Sequence, residues 1–517
     1  MSFNLIDDPF IPCLDLQGMP CELSLRDTLL RANNLRELRD DSPLVTVALH
    51  RLLLAILHRN FGPASLPKWQ ELWSRGGFDD AVLTSYFEKW HERFDLFHPE
   101  RPFFQVAEIN VTKRSPSQRI AIEYNRENGA TLFDHSMYLF PVAMKPNEVA
   151  RYLIAEQSYA LAGGNAPKGF ERATNAPLAG GAAVLVQGET LFATLMLNLV
   201  PQEPRKEADL PAWERLASPC SDSSFPSGYS DYFTWQSRSI RLLSDDDGLV
   251  RELLHAPGRT LDTPAPYFDP HVAYRLDPKL GVRAISLTKR KDTWRDSAAL
   301  LQFADNDQFK APDNIRTLAT LGSTAIPRGQ RYQLLVLGFC NETENAKVEF
   351  WRRDRLPLPA AFLNDRDLVE KLQNAIGHAD EVGRHVRMAA WKTASTLLSN
   401  GQTSPDKARV AALVDSLSPD RLYWSRLEVP FRQFLVDLPG ETKDDLEHQV
   451  VTVAHWVCDT LKPQARAAFD ETVGSLNQTG REHHAVTLGR EQLEKDLSSV
   501  TKPHQEKLNE VAAVHRA

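Results

Sequence analysis

Residues 146–169 read Pro146-Asn147-Glu148-Val149-Ala150-Arg151-Tyr152-Leu153-Ile154-Ala155-Glu156-Gln157-Ser158-Tyr159-Ala160-Leu161-Ala162-Gly163-Gly164-Asn165-Ala166-Pro167-Lys168-Gly169. Val149, Leu153, Ile154, Ala160 and Leu161 recur at helical spacing and predict a helix of about four turns over 146–161. Pro146 falls in the first turn, where its missing N–H costs nothing, and Gly163 stands where a left-handed C-cap residue is wanted. The paired Gly163 and Gly164, followed by Asn165, let the main chain approach a ligand with no Cβ in the way. Taken alone, the turn is a helix cap running into a loop. Its meaning depends on the rest of the chain.

Upstream, residues 131–135 (Thr-Leu-Phe-Asp-His) bring Phe133, Asp134 and His135 together before the helix. Nearer the start, apolar runs around Phe10-Ile11 and Leu23-Ser24-Leu25, separated by Gln17-Gly18, predict a hairpin leading into a helix over 25–32. Ser42-Pro43 then opens a mostly buried helix carrying Leu44, Val45, Val47, Leu52, Ile56 and Leu57. An aromatic helix over 79–94 ends in a corner, 96–106, with two prolines and four aromatic or imidazole rings. That composition suits packing better than base stacking.

Downstream, residues 181–199 read as paired strands around Gln187-Gly188-Glu189, and 201–232 as a long loop. Strand alternation resumes over 233–242. Basic residues follow at Arg259 and in Lys289-Arg290-Lys291, either solvated turns or phosphate contacts. An apolar strand over 332–339 delivers the polar turn that contains Glu344, Asn345, Ala346 and Lys347, before Val348-Glu349-Phe350-Trp351. From residue 365 the period becomes helical in four segments, 365–398, 405–438, 443–476 and 481–514, joined at Asn400-Gly401, Pro439-Gly440 and Thr479-Gly480. Pro419, Pro430 and Pro463 should kink or interrupt two of them. The expected fold is α+β: a large mixed α/β N-terminal domain over 1–364, then a C-terminal four-helix bundle over 365–517.

With 517 residues the chain can bury one or two sizeable cores. A net charge of -8 excludes a protein coated in basic surface, so nucleic-acid contacts must come from local clusters or backbone groups. Five scattered cysteines with no C-x-x-C pair argue against a disulfide framework and a structural zinc site, as suits a reducing cytoplasm. The start lacks a basic and apolar leader pattern, and no run approaches 18 uninterrupted apolar residues.

Catalytic patterns are missing. The Lys168-Gly169 order and the absent Ser or Thr reject a P-loop. Glu482-His483-His484 lacks the spacing that puts two imidazoles on one helix face, and His378 and Asp380 point to different sides of a helix. Asp134 beside His135 is a poor geometry for a base and its orienter. The chain does not read as an enzyme, and no cofactor or metal is expected.

Jointly, Phe3-Asn4-Leu5-Ile6-Asp7, the Ser42-Pro43 helix, 98–105, Leu132-Phe133-Asp134-His135, the Gly163-Gly164 loop, Phe233-Thr234-Trp235-Gln236-Ser237-Arg238, Trp294-Arg295-Asp296 and the terminal helices resemble the CasA family. That family supplies the large subunit of the type I-E CRISPR Cascade surveillance complex. The resemblance implies a non-catalytic, cytoplasmic subunit that reads the protospacer-adjacent motif (PAM) of double-stranded DNA from the minor groove and starts strand separation. It further implies contact with the 5′ handle of the guide RNA, with other Cascade subunits, and with a helicase-nuclease, and none with a membrane.

By the same resemblance, Phe133, Asp134 and His135 fall on the guide-handle loop, and Gly163, Gly164 and Asn165 on a glycine loop laid against the PAM. Glu344, Asn345, Ala346 and Lys347 fall on a hairpin tip that wedges into the duplex, where some relatives carry Gln at the position aligned with Asn345. Arg259 falls roughly at a basic PAM contact, and Lys289 and Lys291 are the phosphate-contact candidates. Some relatives have a cysteine cluster near Arg259; residues 243–254 have none here, so no metal is implied. A metabolic enzyme with an unrecognised site and a protein-only scaffold remain as other readings of the residues.

Overall fold

The computed structural model describes residues 2–121, 124, 140–163, 167–202, 207–215, 225–261, 268–279, 281–288, 293–296, 300, 309–326, 329–341, 348–399, 405–442, 445–476 and 479–515. Strands β1 (Ile11–Asp15) and β2 (Pro20–Leu23) form the expected hairpin, and Ser24 caps α1 (Leu25–Leu30) by accepting from Asp27 N at 3.2 Å. A short third strand, β3 (Leu35–Leu38), pairs with the other side of β1.

Helix α2 (Pro43–Phe61) is buried from Pro43 through His58. By length and composition it could cross a membrane, but 83% of that window is covered by the fold, as in a core helix. Arg51 at its centre is ion-paired with Asp269 and lies over the rings of Tyr232 and Phe233 at 5.0 and 4.7 Å. Asp269 also accepts from His271 N at 2.9 Å, so the buried carboxylate has the partners that make such burial tolerable. Helices α3 (Leu66–Arg75) and α4 (Asp80–Trp90) follow, the second capped by Asp79. Beyond α4, Phe94, Phe103, Phe104 and Trp213 stack with centroids 4.4 to 6.1 Å apart, which makes the 96–106 segment a packed corner.

Strand β4 (Ser115–Pro116), helix α5 (Pro146–Tyr159) and strand β5 (Ala183–Gln187) precede α6 (Leu191–Asn198). The expected second strand after Gln187-Gly188-Glu189 is therefore a helix. A continuous apolar run does not distinguish the two states by period. Two side chains decide it: Thr190 accepts from Ala193 N at 3.1 Å and starts the turn, and Asn198 at its end pairs with the edge of β5. The Asn198 amide accepts from Val186 N at 2.9 Å and donates to Val186 O at 2.8 Å, as a neighbouring strand would.

The chain continues through α7 (Tyr229–Phe233), β6 (Arg238–Ser244), β7 (Val250–Pro257), β8 (Tyr274–Asp277), β9 (Gly281–Ala284), β10 (Phe309–Lys310), α8 (Asp313–Ala325), β11 (Arg331–Cys340) and β12 (Phe350–Pro359). Residues 233–237, expected as strand, are instead the end of α7 and a turn into β6. Among the described residues the strands form four three-stranded sheets, ordered β2-β1-β3, β4-β7-β6, β10-β8-β9 and β12-β11-β5. The chain groups into two units, one of residues 1–293, 302–326 and 332–355, the other of 294–301, 327–331 and 356–517.

The second unit is helical. Asp365 caps α9 (Arg366–Leu398), accepting from Leu368 N at 3.1 Å, and a Thr479–Glu482 capping box opens α14 (Gly480–Val514). Between them lie α10 (Lys407–Leu417), α11 (Pro419–Asp437), α12 (Leu446–His455) and α13 (Lys462–Val473). The expected second segment breaks at Ser418, which has φ 52°, so that Pro419 begins a new helix, while Pro430 lies inside α11. In the third, a π turn over Trp456–Leu461 widens the helix where the Pro463 ring meets the Asp459 carbonyl four residues back. Trp294 is 2% exposed in this unit, its ring 4.4 Å from Phe431, and Arg295 holds Asp380 at 2.6 Å while lying 3.8 Å over Trp424.

Candidate nucleic-acid interface

Helix α5 ends at Ala160, which leaves the helix with φ -57° and ψ 128°. Gly163 is thus not the helix cap expected of it. It lies three residues farther on, exposed, with φ 138°, a backbone angle that a side chain would strain. The outgoing and returning chains then pair: Ala176 N donates to Ala160 O at 2.8 Å and Leu178 N to Ser158 O at 2.9 Å. Ala162 N donates to Asn175 Oδ1 at 2.6 Å. This neck carries a loop whose returning limb turns at Pro167, Lys168 and Gly169 and exposes Lys168 and Arg172.

The last turn of α5 is buried although it is polar. Gln157 donates to Arg238 O and accepts from Arg238 N, both at 2.9 Å, fixing the helix end to the first residue of β6. Glu156 lies 3.5 Å from His255 on β7. Burial, only partly offset by Glu156, pushes the His255 imidazole down to about 4, so it is neutral near pH 7.

Beside the neck stands the hairpin of β11 and β12. Its first strand is buried over 334–340, and Glu349 N donates to Cys340 O at 3.0 Å to close the described part of the turn. Tyr159 and Leu178 of the neck share one apolar cluster with Leu337 and Phe339 of β11, and Leu161 and Val348 pack on that cluster's rim. The Tyr159 and Phe339 rings are 5.9 Å apart. The glycine loop and the hairpin therefore rise from a common apolar base.

Of the residues expected to carry function, Gly163 lies on that loop. Phe133, Asp134, His135, Gly164, Asn165, Lys289, Lys291, Glu344, Asn345, Ala346 and Lys347 lie outside the described residues. Arg259 requires a correction. Its side chain is 5% exposed, bonded to Asp231 at 2.7 Å and stacked 3.6 Å over the Trp235 ring, so it is turned into the protein rather than toward a groove. Among the described residues no group of three or more His, Cys, Asp or Glu side chains is arranged to hold a metal.

The sequence model of the family described as CRISPR-associated protein Cse1 matches residues 4–462. A CasA/Cse1 protein of Thermus thermophilus is 33% identical over 458 residues, which span 86% of this chain and 89% of the relative. The chain belongs to the Cse1 family. Its fold is similar to a crystal structure of Thermus thermophilus CasA, with a TM-score of 0.83 at 30% identity over 96% of this chain and 100% of that one. Cse1 of Acidimicrobium ferrooxidans gives 0.81 at 26% identity, over 98% and 99%. A chain of a CRISPR RNA-guided surveillance complex gives 0.76 at 23%, over 95% and 99%, a likeness of fold.

Sequence reasoning weighed Lys168 only for a P-loop and gave Arg172 no role, because isolated cations in a loop look like any solvated turn; both are exposed on the returning limb. Arg238 entered that reasoning as one residue of the expected 233–242 strand and as part of the resemblance, with no role of its own. Arg238 is 3% exposed in this Cse1 chain, and nothing in its spacing signals burial.

Proposed function

We propose that this Cse1 chain is the large, non-catalytic subunit of a type I-E CRISPR RNA-guided surveillance complex. In this reading it recognises the PAM of double-stranded DNA through the glycine loop and promotes strand separation through the hairpin tip. It also touches the guide 5′ handle and recruits the helicase-nuclease. The observation that carries the reading is the shared apolar base under the Gly163 loop and the β11–β12 hairpin. A minor groove about 6 Å wide offers a degenerate pattern, and a reader there needs close main-chain approach, which Gly163 and Gly164 allow. Opening a base step costs a few kcal/mol, which pairing with the guide offsets, so a wedge needs a firm support more than a reactive group. Lys168 and Arg172, with the exposed Glu171 between them, leave one net positive charge on the loop's return limb for a phosphate contact.

The test is a gel shift of the assembled ribonucleoprotein on duplexes with a randomised PAM. Enrichment of a small set of PAM sequences, lost when this chain is left out, is expected. Equal shifting of all sequences would remove PAM reading from the chain and favour a protein-only scaffold.

A further inference from the structure

We propose that Arg238 is a positioning residue for the glycine loop, a buried clasp that holds the loop's two ends together at the surface. The inference rests on the reading of that loop as a DNA contact. The α5 exit and the loop's return could close through main-chain pairing alone at 158/178 and 160/176. Beyond those pairs, Ala162 N donates to Asn175 Oδ1 at 2.6 Å, and the carbonyls of Leu161 and Thr174 both accept from Arg238. The Arg238 guanidinium bridges the two limbs: Nη2 donates to Leu161 O at 2.7 Å, and Nη1 donates to Thr174 O at 3.0 Å and to its neighbour Ser237 O at 2.7 Å. One side chain thus satisfies a carbonyl on each limb, two residues before Gly163 on one side and one residue before Asn175 on the other.

The clasp is itself held rigid. Gln157 pins the Arg238 main chain from the α5 side, and Ser237 Oγ donates to Gln157 O at 2.8 Å. Gly258 N donates to Ser237 O at 3.1 Å, and Arg259 N to Gln236 O at 2.8 Å, tying the same segment to the end of β7. Leu261 N reaches Thr174 Oγ1 at 3.3 Å, so the returning limb is also bound to this frame. A planar guanidinium can bond several carbonyls at fixed angles, whereas a lysine ammonium offers no such fork. If a loop reads a groove by main-chain approach, its precision is set where its ends are fixed, because no side chain corrects a misplaced backbone. Ser237 and Arg238 thus tie the loop's two limbs to the end of α5 and the start of β6.

The test combines two measurements on Arg238→Met, with Arg238→Lys as a second variant in case the first fails to assemble. Hydrogen exchange over 161–175 in the full chain should quicken by about tenfold relative to the sheet strands β6 and β7. In the assembled complex, affinity for a PAM-bearing duplex should fall several-fold, while affinity for a single-stranded target that needs no PAM reading stays as in the wild type. Arg238→Lys should fall between the two. Unchanged exchange over 161–175 in either variant, or equal losses on duplex and single strand, would overturn the proposal. Faster exchange with unaltered PAM discrimination would keep the clasp and instead contradict the reading of the loop as a DNA contact.

Discussion

Arg259 and Lys168 carry the same charge in the same unit, but one is enclosed by Asp231 and Trp235 and the other faces water. Nothing in the residue type separates them; the separation comes from partners distant in sequence. Arg259→Met leaves Asp231 with Arg215 at 2.8 Å and removes the bond at 2.7 Å. Stability should fall by about 3 kcal/mol, read by denaturant unfolding, because a buried carboxylate loses part of its compensation. The salt dependence of DNA binding by the complex should not change, since no phosphate contact is lost. A flatter slope would restore Arg259 to the DNA surface. Gly163 was legible as a residue needing freedom, but it was misplaced as a cap, because α5 already ends at Ala160 through bonds to residues 176–178 that a local pattern does not contain.

At the scale of elements, the long helices were legible because their apolar positions repeat over many turns, as in α9 and α14. The eight residues of α6 were not, since Leu191 through Leu197 give no period and the Thr190 cap and Asn198 decide the outcome. The strands β8, β9 and β10 are too short to announce themselves. The close approach of α14 to α9 was equally hidden. A Cβ built on Gly489 would lie 2.1 Å from Thr393 Oγ1, 2.9 Å from Ala389 O and 3.0 Å from the Phe469 ring. Gly489→Ala should therefore lower stability by about 1–3 kcal/mol in spite of the better helix propensity of alanine. Thermal unfolding of the full chain reads this directly, and an unchanged or raised melting temperature would show that the helices can part without cost.

For the whole molecule, a net charge of -8 means that attraction to DNA has to be local. Lys289→Glu combined with Lys291→Glu should lower the affinity of the assembled complex about equally on all duplexes and flatten its salt slope by about one to two units, the signature of lost phosphate contacts. An unaltered slope would make both lysines ordinary solvated residues. The candidate site was legible in part because a glycine loop and a polar hairpin leave marks in composition. Their common base was not, since Tyr159 and Phe339 are far apart in the chain and meet only in the fold. The most direct test of the account is the ratio of affinities for a duplex with the preferred PAM and one with that PAM scrambled, compared between the wild-type complex and one carrying Gly163→Asp. The account predicts that the ratio collapses toward one while assembly and single-strand binding persist; a ratio equal to that of the wild type would contradict it.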